Sequence, residues 1–283
     1  MNDLQKKQLE ILKAFINVCE KHHLRYFAVG GTALGAIRHQ GFIPWDDDID
    51  VGMPVEDYDK FITLQNEFND SPYFIQTWQS DPHYIYAFAK LRDSSTTFIE
   101  NYYKNHRINH GVWIDIFPIS GITDKDIPLN KCKPFLRRFM TQINLSYLGA
   151  LTRKVHKKTF FKDILLNIVG GLFYLLNVNH YRQKKMDKMF KKYPLEKAKY
   201  AGNFHFFWTG KVEGVNPAFF LDTISVPFED THINVVREYD KYLTTLYGDY
   251  MTPPPENKRE GHHHYSGLDL NTPYLEYLDE HRI

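Results

Sequence analysis

The chain has 283 residues, of which 43% are hydrophobic and 24% charged, so it can bury a substantial core and has an ordinary globular composition. Its 35 basic and 34 acidic side chains nearly cancel, which removes any global electrostatic case for binding nucleic acid. The cysteines, Cys19 and Cys132, are too few for a disulfide framework and lack zinc-finger spacing, which points to a reducing compartment.

Leu4, Ile11, Leu12, Phe15, Ile16 and Cys19 recur near helical spacing and predict an amphipathic helix over residues 3–22. Residues 24–29 (LRYFAV) predict a short strand that stops at Gly30-Gly31. Thr32 to Gln40 reads as a helix, with Thr32 as its cap and Gly41 as its stop. Asp48-Ile49-Asp50-Val51 alternates polar and apolar, as a strand does, and Pro54 suits the first turn of the next helix. Residues 73–78, 84–91 and 96–99 are strand-like, and Val112–Phe117 predicts a strand stopped by Pro118. Residues 1–125 therefore read as one mixed α/β unit.

From 126 to 230 the pattern shifts to long helical segments, followed by short strands and turns over 200–229. Arg137, Arg138, Arg153, Lys154, Lys157 and Lys158 surround apolar runs there. The run ILLNIVGGLFYLL, residues 164–176, is too short, and too interrupted by Asn167, to span a bilayer. It is either a buried helix or, within 160–176, an interfacial helix held at a membrane by apolar area and flanking cations. Residues 231–283 predict a helix over 232–247 and, after Pro253-Pro254-Pro255, a tail packing back on the core. No apolar leader opens the chain, so the expected location is cytoplasmic, with peripheral contact at the inner face of the membrane through 160–176.

The chemistry concentrates in VGGTALGAIRHQGFIPWDDDIDVGM, residues 29–53. In a strand, Asp48 and Asp50 point to one face, while Ile49 and Val51 face the core. Adjacent carboxylates repel unless a cation neutralises them, and oxygen-only ligation suits magnesium or manganese. A third carboxylate, Asp115, stands alone in the apolar segment WIDIF, where a charge is costly unless paired or bound to metal. On neighbouring strands, Asp48, Asp50 and Asp115 would hold two ions ~3.5–4 Å apart; a solvent-facing edge position for Asp115 is the alternative. Asp46 and Asp47 read as supporting groups.

Competing motifs fail on spacing. A calcium loop starting at Asp46 needs Gly at 51 and Glu at 57, where Val51 and Asp57 stand. The glycines do not match G-x-G-x-x-G, and Ala36 replaces the lysine of a Walker loop. Gly30 and Gly31 instead let backbone approach phosphate oxygens at a helix N-terminus.

The strand, the Gly30-Gly31-Thr32 turn, the helix, Asp48-Ile49-Asp50 and the later Asp115 together resemble the polymerase-beta-like nucleotidyltransferase fold. The longer strings GGTALGAIRHQGFIPWDDDIDVGM, WIDIFPI and YDKYLTTLYGDYMTPPPENKREGH are similar to those of the LicD family, which includes the fukutin-type proteins. The resemblance reaches both ends of the chain and leaves about 125–230 unmatched. It implies an α+β fold, a nucleotidyltransferase core sheet with flanking helices and a mainly helical insertion near the acceptor or membrane.

The resemblance also implies a metal-dependent phosphotransferase, using Mg2+ or Mn2+. It would move phosphocholine, or a polyol phosphate such as glycerol or ribitol phosphate, from a CDP-linked donor to a hydroxyl of a lipid-linked cell-surface glycan, releasing CMP. CDP-choline is the expected donor, and teichoic acid, capsule or lipopolysaccharide the expected acceptor. On this reading Asp48, Asp50 and Asp115 bind metal, and Asp115 also serves as base. Gly30, Gly31, Thr32, Arg38, Lys90 and Arg92 contact the donor's phosphates; for Lys90 and Arg92 the alternative is solvated charge. Asp47, His110, His262 and His264 are candidate substrate contacts. A D-x-D glycosyltransferase using a nucleotide sugar, or an inactive metal-binding relative, remains the competing reading. Against the glycosyltransferase, Asp48 follows Gly31 by only 17 residues, which leaves no room for a separate nucleotide-binding half.

Overall fold

A computed structural model describes residues 1–101, 103, 106–122, 160–191, 194–202, 215–261 and 263–281. The chain opens with helix α1 (Asp3–Lys21), started by a reciprocal cap in which the Asn2 and Gln5 side chains each accept from the other's backbone N–H. Its apolar stripe buries Leu9, Ile11, Leu12, Phe15, Ile16 and Cys19, as the spacing predicts. Strand β1 (Phe27–Ala28) leads into helix α2 (Gly30–His39), which starts at Gly30 itself rather than at Thr32. The chain leaves α2 through Gln40 in the left-handed conformation, φ 53°, so Gly41 is not the residue that turns.

After β2 (Asp50–Pro54) and helix α3 (Val55–Phe61) come β3 (Tyr73–Gln76), β4 (Ala89–Asp93), β5 (Thr97–Glu100) and β6 (Val112–Ile122). The principal sheet has the order β1-β2-β6-β4-β3, and β7 (Tyr200–Gly202) pairs on the later part of β6. Among the described strands of this sheet only β2 and β6 run parallel; the other pairs are antiparallel. Helices α1 and α3 pack against β6. The fold is thus the expected mixed α+β type.

Pro118 was expected to stop β6, yet the strand continues four residues beyond it. The Asp115 N–H donates to Ile49 in the direction of β2, so two-residue alternation points position 118 the other way. On that side β4 has ended opposite Ile116 and β7 does not begin until Ser120. The N–H that proline lacks therefore has no partner strand to miss.

Helices α4 (Phe160–Leu175) and α5 (Val178–Phe190) follow one another through a two-residue turn. A hairpin, β8 (Thr223–Phe228) and β9 (Thr231–Val236), comes next. The helix expected over 232–247 is half strand: the β-branched run Thr231–Val236 pairs with β8, and only helix α6 (Tyr239–Tyr247) is helical. The domain boundary placed between 230 and 231 therefore falls in the turn of one hairpin. The tail adds β10 (Tyr265–Asp269), antiparallel to β5, and helix α7 (Tyr274–His281).

Candidate active site

Register assembles the acids. Asp50 stands opposite Asp115 across β2 and β6, and Lys90 stands opposite Asp115 across β6 and β4. Residues in register on adjacent strands share a face, so Asp50, Asp115 and Lys90 form one row. Ile49, Val51, Ile114 and Ile116 are fully buried, as alternation requires. Asp48 was expected inside the strand with Asp50; it lies just before it, in the loop, and still lines the same cleft. Asp46, read only as a support, joins the cluster through a hydrogen bond with Asp48.

Helix α2 is fastened directly to this row. The Asp50 N–H donates to the Thr32 hydroxyl at 2.8 Å, and the Val29 N–H donates to the Asp50 carbonyl at 3.1 Å. Thr32 therefore positions Asp50 instead of capping the helix. Gly30 has φ +55°, and a Cβ there would stand 3.6 Å from Asp50 Oδ2; a Cβ at Gly31 would stand 3.0 Å from Asp46 Oδ2. Glycine at these two positions lets the helix begin against carboxylates. The Gly30 N–H donates to the Tyr242 hydroxyl at 3.3 Å.

The acids open onto a cleft of about 510 Å3. Asp46, Asp48 and Asp50 form one wall, Gly30, Gly31 and Arg38 the second, and Tyr247, Asp249, Tyr250 and Lys258 of the tail the third, with Trp45 beside them. The Arg38 guanidinium is anchored by donating to the Tyr250 carbonyl at 2.7 Å, and the Arg259 guanidinium lies 5.2 Å from the Trp45 ring centre. Burial, with Asp46 and then Asp115 adding repulsion, pushes Asp48 up to about 7. Burial and the charges of Asp48 and Asp115 raise Asp50 well above the usual carboxylate range, and burial raises Asp46. At these carboxyls burial and mutual repulsion outweigh the nearby positive charges of His263 and Lys90, and a cluster rich in carboxylate oxygens fits a hard divalent cation.

On the other side of Asp115 the charges are already matched. Lys90 Nζ lies 3.0 Å from Asp115 Oδ1 and 3.7 Å from Glu100 Oε2, and 3.8 Å from the centre of the Trp113 ring. Tyr86 and Phe88 rings stand at 5.6 and 5.8 Å, so the ammonium sits in an aromatic box. Arg92, fully buried, donates from Nε to Gln76 at 2.5 Å and from its two terminal nitrogens to the Gly111 carbonyl at 2.6 Å and Glu100 at 3.2 Å. Burial would raise Glu100, but Lys90 and Arg92 hold it below its ordinary value. The two cations do share a face, as their spacing requires. Both are buried and paired with Asp115 and Glu100, so alternating charge here marks a buried polar layer rather than a solvated one.

The histidines are also redistributed. His110 is buried, its Nε2 is 2.9 Å from the His106 carbonyl, burial lowers it to about 4, and it is not among the residues that line the cleft. His262 lies outside the described residues, and the His264 side chain is exposed. His263, the middle member of the triple histidine, reaches the site. Its backbone N–H donates to Asp47 Oδ2 at 3.0 Å, and its Nδ1 lies 3.0 Å from Asp47 Oδ1 and 3.8 Å from Asp48 Oδ2. Burial lowers His263, but the Asp47 bond and the Asp48 charge outweigh it and raise it to about 9. Asp47 thus ties the tail to the acidic loop, and its carboxylate, that of Asp48 and the His263 ring have ligand atoms within 4.8 Å of one another. The sequence offers no local signal that separates His263 from the histidines on either side of it.

Known proteins match this architecture. The family model described as LicD/FKTN/FKRP, nucleotidyltransferase domain, matches residues 23–161, which include α2, the acidic loop and Asp115. The chain is 30% identical over 259 residues to lipopolysaccharide cholinephosphotransferase LicD of Haemophilus influenzae, covering 90% of this chain and 92% of that protein. It is 44% identical over 48 residues to human ribitol 5-phosphate transferase FKRP, which is 17% of this chain and 10% of that protein. An uncharacterized protein of Rickettsia typhi is 37% identical over 75 residues. With a nucleotidyltransferase model over the acidic row and a relative aligned along nearly its whole length, the chain belongs to the LicD family.

Proposed function

We propose that the protein is a phosphotransferase that moves phosphocholine from CDP-choline to a hydroxyl of a lipid-linked cell-surface glycan and releases CMP. The observation that carries the reading is the registered pair Asp50 and Asp115, joined by Asp48, at the mouth of a helix that begins on two glycines. Asp48, Asp50 and Asp115 would hold Mg2+ or Mn2+, which when bound supplies charge neutralisation at the donor's phosphates. Arg38 and Lys258 face the same cleft from opposite walls and supply further positive charge for a diphosphate. The acceptor oxygen bonds to the distal phosphorus, the bond from that phosphorus to the bridging oxygen breaks, and CMP leaves with the electron pair. Asp115 completes the ligand set and accepts the hydroxyl proton.

Two observations favour a choline head group over a polyol phosphate. Trp45, Tyr247 and Tyr250 line the cleft together with Asp249, and rings beside an acid are what a quaternary ammonium requires. The cholinephosphotransferase relative aligns along 92% of its length, whereas the ribitol 5-phosphate transferase aligns along 10%. The test is nucleotide release with magnesium present, across CDP-choline, CDP-glycerol, CDP-ribitol and UDP-sugars. CMP from CDP-choline is the expected product. UDP release would instead identify a glycosyltransferase, and no release from any donor would identify an inactive relative.

A further inference from the structure

Helices α4 and α5 carry a second functional surface. Phe161, Ile164, Leu165, Ile168, Leu172, Leu175 and Leu176 are all exposed large apolar side chains; Leu175 is 80% and Leu176 72% exposed. At 100° per residue these seven positions fall within a stripe about 120° wide on one side of the helix and its C-terminal turn. The stripe contains no charged residue. A patch of this kind on a folded chain marks a contact surface. Among the described residues no helix is long and apolar enough to cross a membrane.

The neighbouring helix says what the stripe meets. α5 is fixed to the body of the protein: buried Gln183 donates to the Ile85 carbonyl, the His180 ring packs at 4.6 Å against Trp78, and Lys191 lies 3.1 Å from Asp59. Measured from Gln183, Tyr181 and Lys188 lie about 140–160° around the helix and Lys184 about 100°, and all three are exposed. Residues 151–191 contain ten Lys and Arg against two Asp, in a chain whose net charge is only +1. A hairpin whose one helix exposes an apolar stripe and whose other, packed against it, exposes lysines and a tyrosine is complementary to a bilayer surface: side chains enter the acyl boundary while ammonium groups meet anionic headgroups.

We propose that the α4–α5 hairpin docks the protein, without crossing, on an anionic lipid surface. The inference stands on exposure and charge and does not depend on the identity of the donor. The experiment is co-sedimentation of the full chain with sucrose-loaded vesicles, comparing phosphatidylglycerol-containing with phosphatidylcholine-only membranes. Binding to the anionic vesicles that weakens as salt is raised is expected. A triple variant, Leu165→Glu with Ile168→Glu and Leu172→Glu, changes only exposed positions and is expected to reduce partition by at least about tenfold while its circular dichroism and nucleotide release stay unchanged. Lys184→Glu with Lys188→Glu is expected to remove the preference for anionic lipid. Failure of the wild-type protein to bind either vesicle overturns the proposal. So does a light-scattering mass of two chains that the triple variant reduces to one, because the stripe would then be a contact between copies.

Discussion

The two sides of the acidic row use charge in opposite ways. Toward the interior, Glu100 meets Lys90 and Arg92 in a buried layer roofed by Trp113, and Asp115, between the two sides, meets Lys90 there and stands beside Asp50 on the other. Toward the cleft, Asp46, Asp48 and Asp50 crowd together, and burial and mutual repulsion outweigh the nearby charges of His263 and Lys90, so their affinity for protons rises. Burying charge is costly on both sides. Inside, the fold offsets that cost with its own counter-ions; in the cleft it leaves the imbalance for a ligand to correct. An unmatched set of charges next to a matched one is therefore the mark of the working half of the site.

The largest expected effect comes from breaking the unmatched side. Asp50→Ala or Asp48→Asn should lower CMP release by about a thousandfold or more, since the donor's phosphates lose the cation that neutralises them. In the ion-free state the same variants should melt at a higher temperature than wild type, because repulsion is relieved. Lower melting temperatures in EDTA would contradict the charge reading even if activity vanished.

Breaking the matched side should cost stability first. Arg92→Met leaves Gln76 without its buried partner and Glu100 with Lys90 alone, a loss of about 3 kcal/mol by denaturant titration. A neutral outcome would mean that the layer is wetter than its burial indicates.

The pH dependence sharpens the contrast. Asp48 titrates near 7 in the folded protein but in the ordinary carboxylate range when unfolded, so the unfolded chain binds fewer protons between those values. Stability of the ion-free protein should fall by about 2–4 kcal/mol as pH rises from about 4 to 7, with Asp50 acting in the same direction. His263, raised to about 9, adds stability below its unfolded value that is lost as pH rises toward 9, again the same sign. Magnesium or manganese should flatten the curve and release protons on binding. Thermal midpoints at several pH values, with EDTA and with magnesium, measure this; a rising curve in EDTA would refute it.

Smaller effects are expected at the rim. Arg38→Ala and Lys258→Ala should each raise KM for the CDP-linked donor by about five- to tenfold with little change in kcat, the mark of lost ground-state binding. His263→Ala, which releases the tail from Asp47, should lower kcat/KM by about tenfold and remove the pH 7–9 part of the stability change.

How much of this was legible without coordinates varies by residue. The glycines, Asp48, Asp50 and Asp115 could be picked out because each is locally anomalous: paired glycines before a helix, and acids in otherwise apolar strands. Lys90 and Arg92 were visible as a same-face pair, but their role was not. Whether a strand's charged face meets water or a covering layer depends on Glu100, Trp113 and Gln76, which lie elsewhere in the chain. The β8–β9 hairpin was half hidden because Thr231–Val236 and the following helix share an apolar pattern too short to separate by period. The exposed stripe on α4 was readable as apolar and not as exposed.

The sequence by itself determined the chemistry available: oxygen ligands in a D-x-D pattern, a glycine-led helix beside them, and an apolar segment bordered by cations. These are local properties, set by residue type and by the periods of helix and strand. Only the tertiary structure decided which charges were matched. Asp50 meets Asp115 through strand register, Lys90 turns inward, and His263 returns from the tail to hold Asp47. Neutralisation depends on separations of a few ångströms between residues up to 216 positions apart in the chain.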